Sequence, residues 1–128
     1  MKFIGLFTFI LFLFSANILH SQSRDTKEIV AESSKLRKAV DTKNESAEAD
    51  SYYNIGETYF NIGNFPKSEE YFIKSKNIYE KLNDKKNLEK VTRKLAQSQE
   101  SQNKLKDAVS NYESASKIGY SKASKKMN

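Results

Sequence analysis

Tyr52-x-x-Ile55-Gly56-x-x-Tyr59, then Gly63-x-Phe65, then Ser68-x-x-x-Phe72-x-x-Ser75 is the stretch that decides the fold. Steps of three and four put Tyr52, Ile55, Gly56 and Tyr59 on one side of a helix, and Ser68, Phe72 and Ser75 on one side of another. Gly63 stands where a helix terminator belongs, and Pro66 where a first-turn proline is tolerated. The pattern recurs 40 residues later as Thr92-x-x-Leu95-Ala96-x-x-Gln99, Asn103-x-Leu105 and Ala108-x-x-x-Tyr112-x-x-Ala115. Large matches large at Phe65/Leu105 and Phe72/Tyr112. Small matches small at Gly56/Ala96, Ser68/Ala108 and Ser75/Ala115. A constant offset marks an internal repeat of a helical hairpin. The alternation has a packing reason: antiparallel helices approach closely only where a small side chain admits a bulky neighbour. Gly56, Ser68 and Ser75 are the expected slots; Tyr59, Phe65 and Phe72 are the expected fillers.

Outward from this core the pattern stays helical, with Gly and Pro sparse and Lys, Glu, Ala and Ser abundant. Asp25 to Val40 carries a loose stripe of Ile29, Leu36 and Val40. Asp41-Thr42-Lys43-Asn44 is a polar break, and Thr42 with Glu45 three residues on reads as a capping box. Helices are expected over about Ser46 to Asn61 and on to about Leu82. After the polar Asn83-Asp84-Lys85-Lys86, two more fit Leu88 to Gln102 and Lys106 to Ile118, with Gly119 as a stop. The expected organisation is a leader over 1–23, a helix of an incomplete hairpin over 24–45, a hairpin over 46–82, a degenerate hairpin over 83–122 and a Lys-rich tail over 123–128.

The amino terminus reads as an address. Lys2, an apolar run from Phe3 to Phe14 and a polar stretch ending Ser21-Gln22-Ser23 follow the order of a secretory signal peptide. Cleavage is expected near residues 21–23, which makes the protein exported: periplasmic or secreted, and bacterial. The alternative is an uncleaved anchor over Phe3 to Leu19, the one route by which a membrane enters this reading. With no Cys in the chain, helix packing rather than disulfides must hold the exported domain.

The residues quoted above resemble the tetratricopeptide repeat. Its pattern of aromatic, Leu-Gly, Tyr, Gly, Tyr, Ala, Phe, Ala is matched in residues 49–82 by Tyr52, Ile55-Gly56, Tyr59, Gly63, Phe65, Ser68, Phe72 and Ser75. Residues 89–122 match weakly: Thr92 replaces the aromatic, Gln99 the Tyr and Asn103 the Gly. The family's proline at the end of the second helix is absent from both copies. The resemblance implies an all-α fold of antiparallel hairpins stacked as a short right-handed solenoid. It also implies a concave face, lined by the first helix of each hairpin, that binds a protein or peptide partner. On that face the first hairpin would offer Tyr53, Asn54, Glu57, Phe60 and Asn61, and the second Lys90, Arg93, Lys94, Gln97 and Glu100. Tyr53 and Phe60 would anchor an apolar side chain or pack on the helix 27–40. Lys90, Arg93 and Lys94 would hold a carboxylate or phosphate, or form a solvated face. Some members of the family clamp acidic chaperone tails with Lys, Asn and Arg. Here Tyr53 and Glu57 occupy places where the clamp wants Lys and Asn, so that activity does not carry over.

Chemistry finds no foothold. The chain has no Cys and one His, His20, which falls in the leader. Neither a thiolate or imidazole metal site nor a triad can be built, so no metal, no cofactor and no enzymatic activity are expected. The net charge is +6, and Lys106, Lys117, Lys122, Lys125 and Lys126 gather toward the carboxyl end. Export, and the lack of any aromatic interleaved with the run beyond Tyr120, argue against nucleic acid. Two functions remain: an exported interaction module or scaffold, or the sensor input of a longer signalling protein, a histidine kinase or transcription regulator, carrying these repeats.

Overall fold

Four turns of one build, 20 residues apart at Lys43, Gly63, Asn83 and Asn103, organise the chain. The structure, a computed structural model, describes the backbone of residues 2–127 and the side chains of residue 10 and residues 23–126. Five helices follow one another: α1 (Lys2–Asp41), α2 (Glu45–Asn61), α3 (Phe65–Lys81), α4 (Lys85–Ser101) and α5 (Leu105–Met127). Among the described residues there is no strand. In each turn the middle residue has a positive φ, from 53° at Lys43 to 77° at Gly63. Glycine takes that conformation freely and asparagine at small cost; Lys43 has neither advantage. The amide of the following residue then reaches back five positions. Asn44, Asn64, Asp84 and Lys104 donate to the carbonyls of Ala39, Tyr59, Tyr79 and Gln99 at 2.8–3.0 Å. This Schellman closure satisfies carbonyls that a helix end leaves unpaired.

In three turns the residue that closes one helix also opens the next. Asn44, Asn64 and Asp84 accept the amides of Ala47, Lys67 and Asn87 at 3.0–3.2 Å. The helices between turns are therefore each 17 residues long. The capping box expected at Thr42 does not form. The turn brings Asn44 to the N-cap, and the Thr42 hydroxyl donates back to the Lys38 and Ala39 carbonyls instead.

Each helix packs on the next in chain order. The slots and fillers meet as the repeat demands. Phe72 is fully buried, and a Cβ on Gly56 would lie 2.8 Å from its ring. Ser68, Ser75, Ala96, Ala108 and Ala115 are buried. The Ser75 hydroxyl donates to the Ala49 carbonyl at 2.8 Å, and the Ser68 and Ser98 hydroxyls bond each other at 2.8 Å. Tyr59 and Phe65 are only half-buried. Tyr59 stacks on Tyr71 with centroids 5.6 Å apart, and Phe65 meets Phe60 edge-on at 5.3 Å. Leu105, the counterpart of Phe65, is 56% exposed, because among the described residues no helix packs on the outer side of α5.

Two elements depart from expectation. In α1 the stripe turned to α2 is Ile29, Glu32, Leu36 and Ala39, while Val40 faces out. The buried Glu32 carboxylate is satisfied by Lys35 Nζ at 2.6 Å and Asn54 Nδ2 at 3.2 Å. Gly119 does not end α5, which runs on to Met127, so residues 123–127 are helix rather than a separate tail. Lys and Ala after Gly119 are good helix formers, and lysines near a carboxyl end suit the helix dipole. The expected leader lies, apart from Ile10 and Ser23, outside the described side chains. Among the described residues no helix is long and apolar enough to cross a membrane.

Candidate binding groove

α2 and α4, the first helices of the two hairpins, meet across a groove of about 310 Å³. Tyr53 lines it from α2; Lys90, Arg93, Lys94 and Gln97 line it from α4, together with Lys86 and Glu89. Of the seven side chains that the sequence nominates, these five come together in one place. The other two, Asn54 and Glu57, have different fates.

Tyr53 is placed otherwise than expected. It is 7% exposed, with its ring 5.6 Å from that of Phe72 and the Lys90 ammonium 3.9 Å from its centroid. It is a wall of the core with one edge in the groove, not a projecting anchor. Ala49, Tyr53, Gly56 and Phe60 follow one another by three and four along α2, and this stripe is covered by α3 and α4 together. Phe60 packs against Phe65 of its own hairpin and meets the second hairpin through Lys94, whose Nζ lies 5.4 Å from its centroid. Burial and the neighbouring Glu57 carboxylate push the Tyr53 phenol well above the ordinary tyrosine range, so it stays a neutral hydroxyl.

Glu57 and Lys94 are committed to each other, 2.9 Å apart with both side chains largely covered. The contact is an ion pair without hydrogen-bond alignment, and the enclosed Glu57 Oε1 has no hydrogen-bond partner among the described residues. Arg93 reaches Glu89 at 3.2 Å across one exposed helical turn, a pair worth little in water. Asn54, one residue round the helix from Tyr53, faces α1 and donates to Glu32; it lines a separate cavity of about 330 Å³ between α1 and α2.

Sequence reasoning missed Lys86 and Glu89. Lys86 looked like part of a polar break, yet α4 begins at Lys85, and Lys86 stands one turn before Lys90 on the same face. The signal was Asp84, a good N-cap two residues earlier. The groove thus carries four cations, Lys86, Lys90, Arg93 and Lys94, against one lining carboxylate, Glu89, with Lys94 also paired to Glu57. Among the described residues no carboxylate comes within ion-pair distance of Lys86 or Lys90. Among the described residues no group of three or more His, Cys, Asp or Glu is placed to hold a metal ion.

The fold is similar to that of the crystal structure of the apo form of RapI, with a TM-score of 0.73 over 84% of this chain. Sequence identity is 20%, and this chain spans about two-fifths of that protein, 39% of its length, so the likeness is one of fold. No curated protein matches the sequence. The family model of the tetratricopeptide repeat matches residues 45–119, from the first residue of α2 to Gly119 in α5. That range covers more than half of the chain and both hairpins, and the protein belongs to the tetratricopeptide repeat family.

Proposed function

We propose that the protein is an exported interaction module that holds an extended, acidic segment of a protein partner in the groove between α2 and α4. Tetratricopeptide repeats are protein–protein interaction modules, which sets the class of function. The observation that carries the finer reading is the cation surplus of that groove. Among the described residues Lys86 and Lys90 stand there without carboxylate partners, and Arg93 is tied by an exposed pair. Tyr53 supplies an apolar wall beside them, so the segment would set an apolar side chain near its acidic group. Export rests on the leader pattern of residues 1–23.

The test is capture from envelope extract on the immobilised chain, with Arg93→Glu and Lys86→Glu as variants. Both side chains are exposed, so neither change disturbs the core. Captured partner should fall away as salt rises toward the range where the Debye length is ~3 Å, and both variants should lose it. A partner held equally by wild type and both variants refutes the groove assignment. For export, the envelope fraction should contain a chain beginning near residue 22 or 24; an intact cytoplasmic chain refutes it.

A further inference from the structure

Laid over each other at the 40-residue offset, the two hairpins differ at one pair of facing positions that empties a packed site. Ala49 and Tyr79 of the first become Glu89 and Gly119 of the second. In the first hairpin Tyr79 is 2% exposed and packs in the same cluster as Ala49. Its hydroxyl donates to the Asp50 carboxylate. In the second hairpin the Glu89 carboxylate lies against the bare face of Gly119, where a Cβ would stand 3.1 Å from Oε1. The acid does not replace the ring. What remains is a wide, solvent-open cavity of about 550 Å³, with Gly119, Ser116 and Ala123 of α5 on one side and Glu89 of α4 on the other. Lys122 and Lys126 border it and have no carboxylate within ion-pair distance among the described residues. Tyr120, 76% exposed, stands beside it. Glu89 also lines the α2–α4 groove, so the cavity and the groove share a wall.

We propose that this cavity is a subsite for a tyrosine side chain of the bound partner segment, a tyrosine flanked by acidic residues. The incoming ring takes the position that Tyr79 fills in the first hairpin. Its hydroxyl donates to Glu89 as that of Tyr79 donates to Asp50. Tyr120 offers a ring to pack against, and Lys122 and Lys126 take the flanking carboxylates. A second copy of the chain is the poorer occupant, since Lys117, Lys122, Lys125 and Lys126 of each copy would be brought against each other. The inference rests on the groove reading, which it extends past the second hairpin.

The test uses the full chain and two fluorescent five-residue peptides. One has a central tyrosine between two acidic residues on each side; the other has alanine at the centre. The plugged variant, Glu89→Ala with Gly119→Tyr, rebuilds the first hairpin's pair in the second. A second variant, Lys122→Glu with Lys126→Glu, changes only exposed side chains. Wild type should bind the tyrosine peptide ~10-fold or more tightly than the alanine peptide, the scale of burying one aromatic side chain. The plugged variant, with its helix content intact, should lose that preference, and the lysine variant should weaken both peptides. Equal affinities on wild type, no binding of either peptide, or a preference that survives plugging overturns the subsite. So does a dimer that only the plugged variant dissociates. If the subsite fails while Arg93→Glu still abolishes capture of the extract partner, the groove reading stands alone; if both fail, both are wrong.

Discussion

Replacing Gly56 by alanine sets two opposed effects against each other, and the structure says which wins. In an unhindered helix the change gains about 1 kcal/mol, because glycine loses more backbone freedom on folding. Here the new methyl would stand 2.8 Å from Cδ1 and Cε1 of Phe72 and 3.3 Å from Cγ. Ordinary contact between carbons is ~3.5–4.0 Å. The ring has nowhere to retreat: Phe72 is fully buried, with the Tyr53 ring packed on it. Overpacking of this kind costs ~1–3 kcal/mol. The net effect should be a destabilisation of up to about 2 kcal/mol, or roughly 4 °C in Tm per kcal/mol for a domain this size. Thermal and urea unfolding by far-ultraviolet circular dichroism should be measured for Gly56→Ala, Phe72→Leu and the double variant. Leucine leaves room for the methyl, so the double variant should be less destabilised than the sum by ~0.5 kcal/mol or more. Gly119→Ala is the control. Its nearest neighbour is the mobile end of Glu89, 3.1 Å away, and the change should be neutral or stabilising. If Gly56→Ala gains the full ~1 kcal/mol and adds simply to Phe72→Leu, the close contact is wrong.

Three further outcomes follow from burial and hydrogen bonding. Tyr53→Ala should cost ~3 kcal/mol or more in urea unfolding, because a core ring is removed; an unchanged midpoint would return Tyr53 to the exposed surface. Ser98→Ala strands the buried Ser68 hydroxyl and should cost ~1 kcal/mol or more, whereas Ser68→Ala with Ser98→Ala should recover most of it, alanine already serving at position 108. Burial works to raise the Glu69 carboxyl, but hydrogen bonds from Lys104, Gln99 and Gln102 and the Lys104 charge outweigh it and hold the group below the usual glutamate value. The unfolded chain therefore binds the proton more readily. Glu69 should stabilise fully above ~pH 4.3, and that stability should be lost as pH falls through the lower folded value. Urea midpoints across that range should fall less steeply for Glu69→Gln; identical slopes would show that Glu69 is not held this way.

The groove was half legible. Lys90, Arg93, Lys94 and Gln97 follow helical spacing along one helix, so any reading that places them on the first helix of a hairpin keeps them on one face. Tyr53 and Asn54 were harder. They are neighbours on the same helix, about 100° apart, and the sequence offers no measure of how far each packing surface extends around it. Tyr53 went under α4, while Asn54 stays exposed and turns toward α1, bonded to Glu32, a buried acid that no apolar pattern announces. The 20-residue beat of the turns was also hidden. Its four central residues, Lys43, Gly63, Asn83 and Asn103, share a backbone conformation rather than a chemical type.

By itself the sequence determined that the chain is helical, that its unit is a hairpin repeated at 40 residues, and which residues are slots and which the principal filler. These follow from side-chain size and spacing along one helix, both of which are local. The tertiary structure alone decided which flank of α2 becomes interior, that Glu57 is consumed by Lys94, and that Gly119 opens a cavity where Tyr79 closes one. The first two depend on a third helix meeting the pair, and the last on the absence of one beyond α5 among the described residues. A helix wedged among α1, α3 and α4 buries more of its circumference than the one stripe its own periodicity records.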